Sequence, residues 1–178
     1  MALTKDTYVI GSHAFFCRKG DTHGSAQTCG RSNKPVANDA AWIDLGVIAK
    51  CRDSHDPGSA LDIFRPTPGA LHLYDRKRTK GTWKIAFATQ ELSAIGVQGL
   101  YRTLALTSGS TQFNPGEGIT MQGWLKLQRY DENNNQRLVL DVWCELILTG
   151  EVDFGGEGLA APEWEAAVLF STLNTGTL

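Results

Sequence analysis

A chain of 178 residues, 42% of them hydrophobic, is long enough to bury the core of one ordinary domain, with or without an extended arm. Its 17 basic and 19 acidic side chains leave a net charge of −2, which is not the electrostatic footprint of a protein that grips nucleic acid by its phosphates. Any contact with DNA is therefore expected to be indirect.

In chain order, the first residues up to Phe16 hold only the short run Tyr8 to Gly11 before polar residues return. That is too little for the apolar core of a signal peptide, and no window approaches a transmembrane span, so a soluble protein made in a reducing compartment is expected. Cys17, Cys29, Cys51 and Cys144 are scattered without a CxxC pair and read as thiols. His13, Cys17, His23 and Cys29 put four possible zinc ligands close together, but none of their spacings supplies the close pair that forms a zinc knuckle. They read as incidental loop residues, with zinc the weak alternative. Residues 18–40 are rich in Gly, Ser, Asn, Lys and Asp, which make turns but offer little area to bury. Residues 1–40 are thus expected to be an arm and loop, and 41–178 a single β-rich domain.

The stretch AAWIDLGVIAKC, residues 40–51, opens the first sustained apolar run. Leu61–Arg65 and Leu71–Tyr74 are short extended candidates, separated by a segment whose Pro66 and Pro68 forbid a central strand. Residues 75–81 carry Arg76, Lys77, Arg78 and Lys80 and are expected to form a second exposed loop. From Thr82 the pattern becomes strict, with Trp83, Ile85, Phe87 and Thr89 alternating against Thr82, Lys84, Ala86 and Ala88, which predicts a strand. Leu92, Ile95, Leu100 and Leu104 then move to helical spacing, which predicts a helix in 91–104 despite Gly96 and Gly99. Small residues there would permit close packing on a sheet. Residues 107–118 read as a loop.

The strongest signal is a hairpin around the loop DENNNQ. Pairing Tyr130 with Arg137 places Leu125 opposite Val142 and Leu127 opposite Leu140 on an apolar face. On the other face it sets Lys126 across from Asp141, Trp124 across from Trp143 and Gln122 across from Glu145. The ion pair and the aromatic pair each contribute about 0.2–1 kcal/mol. Two tryptophans side by side do not suit a wet surface, so this face is expected to be covered, by the helix or by another copy of the chain. A last strand over Ala166–Phe170 closes the sheet. The expected fold is mainly β, a β-sandwich or barrel-like sheet with one flanking α-helix and a long N-terminal arm and loops.

The polar arm, the step Trp42-Ile43-Asp44-Leu45-Gly46, the Pro-interrupted loop, a strand, one helix and a closing set of strands resemble the major tail tube proteins of long-tailed bacteriophages. The likeness lies in the order and spacing of elements over most of the chain and is least over the N-terminal 35 residues. It implies a structural virion protein with no catalysis and no cofactor. Its partners would be itself, as rings of six that stack into a tube, and other tail proteins, with DNA passing through the lumen unbound and no membrane. The tube would be assembled in the host cytoplasm and reside in the virion tail. Lys126, Asp141, Glu145, Trp124 and Trp143 are then the lumen or subunit-seam candidates. Arg76, Lys77, Arg78 and Lys80 are the ring-stacking candidates, and residues 18–40 and 66–81 are expected to order on assembly. The alternative is a β-sandwich binding module, lectin-like or a virion decoration or tail-terminator protein, with the tryptophans as a sugar-stacking platform. An enzyme reading rests on His55 with Asp53 or Asp56, without a nucleophile elbow, carboxylate pair or nucleotide loop beside them.

Overall fold

Alternating apolar side chains give each strand one face to bury, and with enough strands the sheet can roll up on that face. The computed structural model describes residues 9–24, 26–67, 70–78, 81–90, 94–101, 120–149 and 162–177. In chain order these form β1 (Val9–Arg18), β2 (Thr22–His23), β3 (Gln27–Thr28), β4 (Ile43–Asp56), β5 (Ala60–Thr67), β6 (Ala70–Arg78), β7 (Thr82–Thr89), α1 (Ala94–Tyr101), β8 (Met121–Asp131), β9 (Gln136–Leu148), β10 (Glu163–Val168) and β11 (Thr175–Thr177).

Strands β10, β7, β4, β1, β8 and β9 lie side by side in that order, and β10 also pairs with β9, which closes a six-stranded barrel. Every contact in the ring is antiparallel. The expected mainly-β, barrel-like fold with one short helix is therefore what forms. A barrel this narrow has no room for a channel, and its interior is filled by side chains. Ala14, Phe16, Leu45, Ile85, Phe87, Leu125, Leu127, Val142, Cys144, Leu146, Trp164 and Ala166 make that core. Burial pushes the Cys144 thiol far up, so it stays protonated in the barrel.

The first correction concerns the arm. Val9–Arg18 is a strand held on both sides, by β4 and by β8, and its Ala14 and Phe16 are fully buried. Residues 1–40 are therefore not all arm, because the barrel would not close without this strand. The second concerns residues 75–81, read as loop. The strand β6 continues through Arg78 and pairs with β5 as a separate two-stranded ribbon. The prolines fit that arrangement, since Pro66 lies near the ribbon's turn and no third strand needs its missing N–H.

The Leu45-Gly46 step has a geometric job. Ala14 pairs with Gly46 and Phe15 with Asp44, so Leu45 is the extra residue of a β-bulge and turns inward at 1% exposure. Gly46 has φ 104°, a conformation that favours glycine, and its N–H donates to Asp44 Oδ1 at 2.7 Å. The bulge bends β4 around the barrel. At one end of the barrel α1 packs on Trp164 and Met121. A Cβ on Gly99 would meet the Trp164 ring at 2.7 Å and Met121 Sδ at 3.1 Å, so the glycine that weakens the helix is what lets it approach. The expected loop at 107–118 lies outside the described residues.

The β8–β9 register is the one read from the sequence, from Gln122 opposite Glu145 to Arg129 opposite Leu138. It departs only at the turn, where Tyr130 pairs with Gln136 instead of Arg137. Asp131 causes the departure by gathering the turn around its carboxylate. Oδ1 accepts the backbone N–H of Asn133 at 2.9 Å and of Asn135 at 2.8 Å, while Oδ2 accepts Arg137 Nε at 2.6 Å. Burial would raise this carboxyl, but those hydrogen bonds outweigh it and hold it at about 2. A folded-state value below the ordinary one means stability that is complete above the unfolded value and lost as pH falls through about 2. Urea midpoints followed from roughly pH 5 down to pH 2 should therefore fall less in Asp131→Asn than in the wild type. Equal falls would remove Asp131 as a stabilising charge.

Candidate assembly surfaces

Two surfaces matter for the expected function: the face of the β8–β9 hairpin that carries the polar and tryptophan rungs, and the β5–β6 ribbon. On the hairpin, Trp124, Lys126, Asp141 and Trp143 point away from the barrel interior together with Cys17 of β1, which is opposite Trp124. The chain itself covers them. The segment from Lys19 to Trp42 crosses this face, and the tail from Leu169 to Thr175 flanks it. Cys17, Cys29, Trp124 and Trp143 form a second buried cluster packed by Ala41, Trp42, Leu169 and Leu173.

The polar segment docks by hydrogen bonds more than by area. Trp124 Nε1 donates to the Gly30 carbonyl at 2.8 Å and Lys126 Nζ to the Ala37 carbonyl at 2.6 Å, with the ammonium 4.0 Å above the Trp42 ring. Ser171 Oγ donates to the Arg31 carbonyl at 2.7 Å, and Asn174 Oδ1 accepts the Trp143 N–H at 2.8 Å. Trp124 and Trp143 meet edge to face with centroids 5.6 Å apart. Burial lowers the Lys126 ammonium below its ordinary range, and nearby Lys34 adds to that while Asp141 opposes it. Asp141 takes its hydrogen bond from Lys34 Nζ, at 3.1 Å, and not from Lys126, its partner in register.

These contacts correct three expectations. Trp124, Trp143 and Lys126 are each no more than 3% exposed, so they line neither a lumen nor a seam, and Asp141 is tied beneath the same cover. The cover is neither the helix nor a second copy. Residues 18–40, expected to order on assembly, find their partners within their own chain. Glu145 alone of the five is outside this network of bonds, half-buried on β9 opposite Gln122.

The ribbon is the opposite case. Leu61, Phe64, Leu73 and Tyr74 are 67%, 54%, 52% and 65% exposed. Phe64 lies across from Leu73, and Tyr74 is the extra residue at a bulge. Of the stacking candidates, Arg76 is not a free charge, since its guanidinium holds Asp62 with Nε–Oδ1 2.6 Å and Nη2–Oδ2 3.0 Å. Lys77 is opposite Leu61 and exposed, Arg78 ends the strand, and Lys80 lies outside the described residues. A two-stranded ribbon with large apolar side chains in water is marginal by itself.

Among the described residues, β4, β7 and β10 form a further exposed wall of the barrel. Lys50 and Arg52 stand along β4, Ala86 and Ala88 floor the middle, and Glu163 and Glu165 stand along β10. Sequence reasoning missed this wall, although the alanines within the alternating 82–89 run signalled a face too flat for a core.

The other candidates disperse. His13 Nε2 is 2.6 Å from Asp44 Oδ1 and its ring stacks on Phe15, while His23 is buried with Nδ1 4.0 Å from Asp39. Only Cys17 and Cys29 of the four possible zinc ligands come together, and among the described residues no three His, Cys, Asp or Glu side chains are grouped to hold a metal. His55 stacks on Trp83, Asp53 binds Arg129 at 3.0 Å, and Asp56 caps the Gly58 N–H at 2.9 Å, so the three do not converge. No protein-family model matches the chain, and no curated protein matches it either.

Proposed function

We propose that this chain is a structural protein that assembles with copies of itself, as the resemblance to tail tube proteins implies: rings of six that stack into a tube conducting DNA, within a phage virion. The observation that carries the reading is the β5–β6 ribbon, whose Leu61, Phe64 and Leu73 present apolar surface to water, as a surface built for contact does. The occupant of that surface is a second copy of the chain. The barrel interior is filled by its own side chains and leaves no room there for a large ligand, and the net charge of −2 suits a wall that must not trap phosphates.

The lumen or seam role passes from the β8–β9 hairpin to the wall of β4, β7 and β10. Lys50 and Arg52 of β4 and Glu163 and Glu165 of β10 flank β7 on one outer face, where Lys84 already holds Glu165 at 2.8 Å, and this mixed-charge wall is where the next copy of a ring would make its polar contacts. The lectin-like alternative loses its platform, because Trp124 and Trp143 are buried. Purified protein viewed by negative-stain microscopy and sized by sedimentation is expected to give rings and stacked tubes. A species that stays monomeric at every concentration and salt tried would end this reading.

A further inference from the structure

The pair Cys17 and Cys29 is unused by any role above. Cys17 is near the end of β1, on the barrel's outer face, and Cys29 follows β3 in the covering segment. Cys29 Sγ donates to the Cys17 carbonyl at 3.4 Å, and both side chains are buried in one cluster. The chain between them is tied into a short loop, with Gly20 N donating to the Cys29 carbonyl at 3.0 Å and Cys29 N to the Asp21 carbonyl at 2.8 Å. Cys51 and Cys144 lie elsewhere, the first beside Arg129 on β4 and the second inside the barrel.

We propose that Cys17 and Cys29 form a built-in dithiol site that a low-molecular-weight disulfide oxidises to an intrachain disulfide, fastening the covering segment to the barrel wall. The thiols differ in the way such exchange needs. The Cys17 thiol and the Trp124 backbone N–H both stabilise a thiolate on Cys29, which lowers its pKa, against burial that raises it. Cys17 is raised, by the bond to Cys29 first and by burial second, and keeps its proton.

Cys29 is therefore the attacking group, once it has given up to solvent the proton it shares with the Cys17 carbonyl. It displaces one thiolate from the oxidant and leaves a mixed disulfide on Cys29, and the released thiolate takes up a proton. Cys17 then gives its proton to solvent and attacks Cys29 Sγ, which forms the Cys17–Cys29 bond and expels the second thiol. Two protein thiols are oxidised and one small disulfide is reduced to two thiols. With Cys17 0% and Cys29 2% exposed in the cluster packed by Ala41, Trp42, Leu169 and Leu173, the oxidant reaches them only when that packing opens locally, so the rate of oxidation follows the opening.

The native protein would be incubated with oxidised glutathione, quenched with acid, alkylated after unfolding and mapped by mass spectrometry. The expected product has lost two hydrogens, carries the Cys17–Cys29 disulfide, leaves Cys144 alkylated and melts several degrees higher than the reduced protein. Cys17→Ser and Cys29→Ser should each fail to give it. Three results on the wild-type protein would overturn the proposal: Cys17 and Cys29 both alkylated when Cys51 has reacted, a lasting glutathione adduct on Cys29, or disulfides only between chains.

Discussion

On the proposed assembly, replacing Phe64 and Leu73 together with aspartate will leave a folded barrel that forms no rings. The two residues face each other on the ribbon and are 54% and 52% exposed, so two carboxylates there meet water in the monomer but must be stripped of it at an interface. The barrel core has no part in the ribbon's pairing, and exposed substitutions of this kind shift stability by about 0.5 kcal/mol or less. Sedimentation should therefore show monomer where the wild type shows rings, with the main unfolding transition unmoved. Deleting residues 70–80 should do the same by removing one ribbon strand. Tubes formed by either variant would put the contact elsewhere, for example on the mixed-charge wall of β4, β7 and β10.

Trp124→Ala is expected to have the largest effect on the isolated chain, about 3–5 kcal/mol of lost stability. The side chain is fully buried between the hairpin and the covering segment, and its removal also leaves the Gly30 carbonyl without its donor. Lys34 loses the ring beneath its ammonium at 5.7 Å, and Trp143 loses its edge-to-face partner. Urea unfolding of dilute, unassembled protein measures this directly. A tryptophan at a subunit seam would instead spare the monomer and weaken rings, so a monomer loss below about 1 kcal/mol would contradict the cover described here.

Those two surfaces mark where sequence reasoning holds and where it stops. Alternation tells which residues share a face, and so the rungs Trp124 with Trp143 and Lys126 with Asp141 were legible to the residue. It does not tell what lies over that face. The cover is a polar segment that binds through backbone carbonyls at Gly30, Arg31 and Ala37, and composition carries no trace of such acceptors. Strand β1 was illegible for a related reason. Gly11, Ser12 and Ala14 dilute its alternation, while its place between β4 and β8 comes from partners distant in sequence. Pro66 and the run of basic residues cut the ribbon down to two short extended segments, Leu61–Arg65 and Leu71–Tyr74, although the strands run on and Asp62 and Arg76 form a cross-strand rung. Cys17 and Cys29 were visible as ligand types, but only the fold of the 18–30 turn makes them neighbours.

The position of β1 also sets the order in which a nascent chain can become a barrel. It precedes the other described strands, yet Cys17 must find Trp124 and Val9 must find Asp131, far downstream in the sequence. The β1–β4 and β8–β9 pairs can form from nearer partners, but the ring shuts only when β1 meets β8 and when β10, the last barrel strand, meets both β7 and β9. Until then β1 keeps the edge meant for β8 open and its Phe16 lacks the barrel core, a state prone to sticking to other unfinished copies. Synthesis of this protein at high level should therefore lean on chaperones or on slow translation, and chains cut short before β8 should aggregate instead of folding in part.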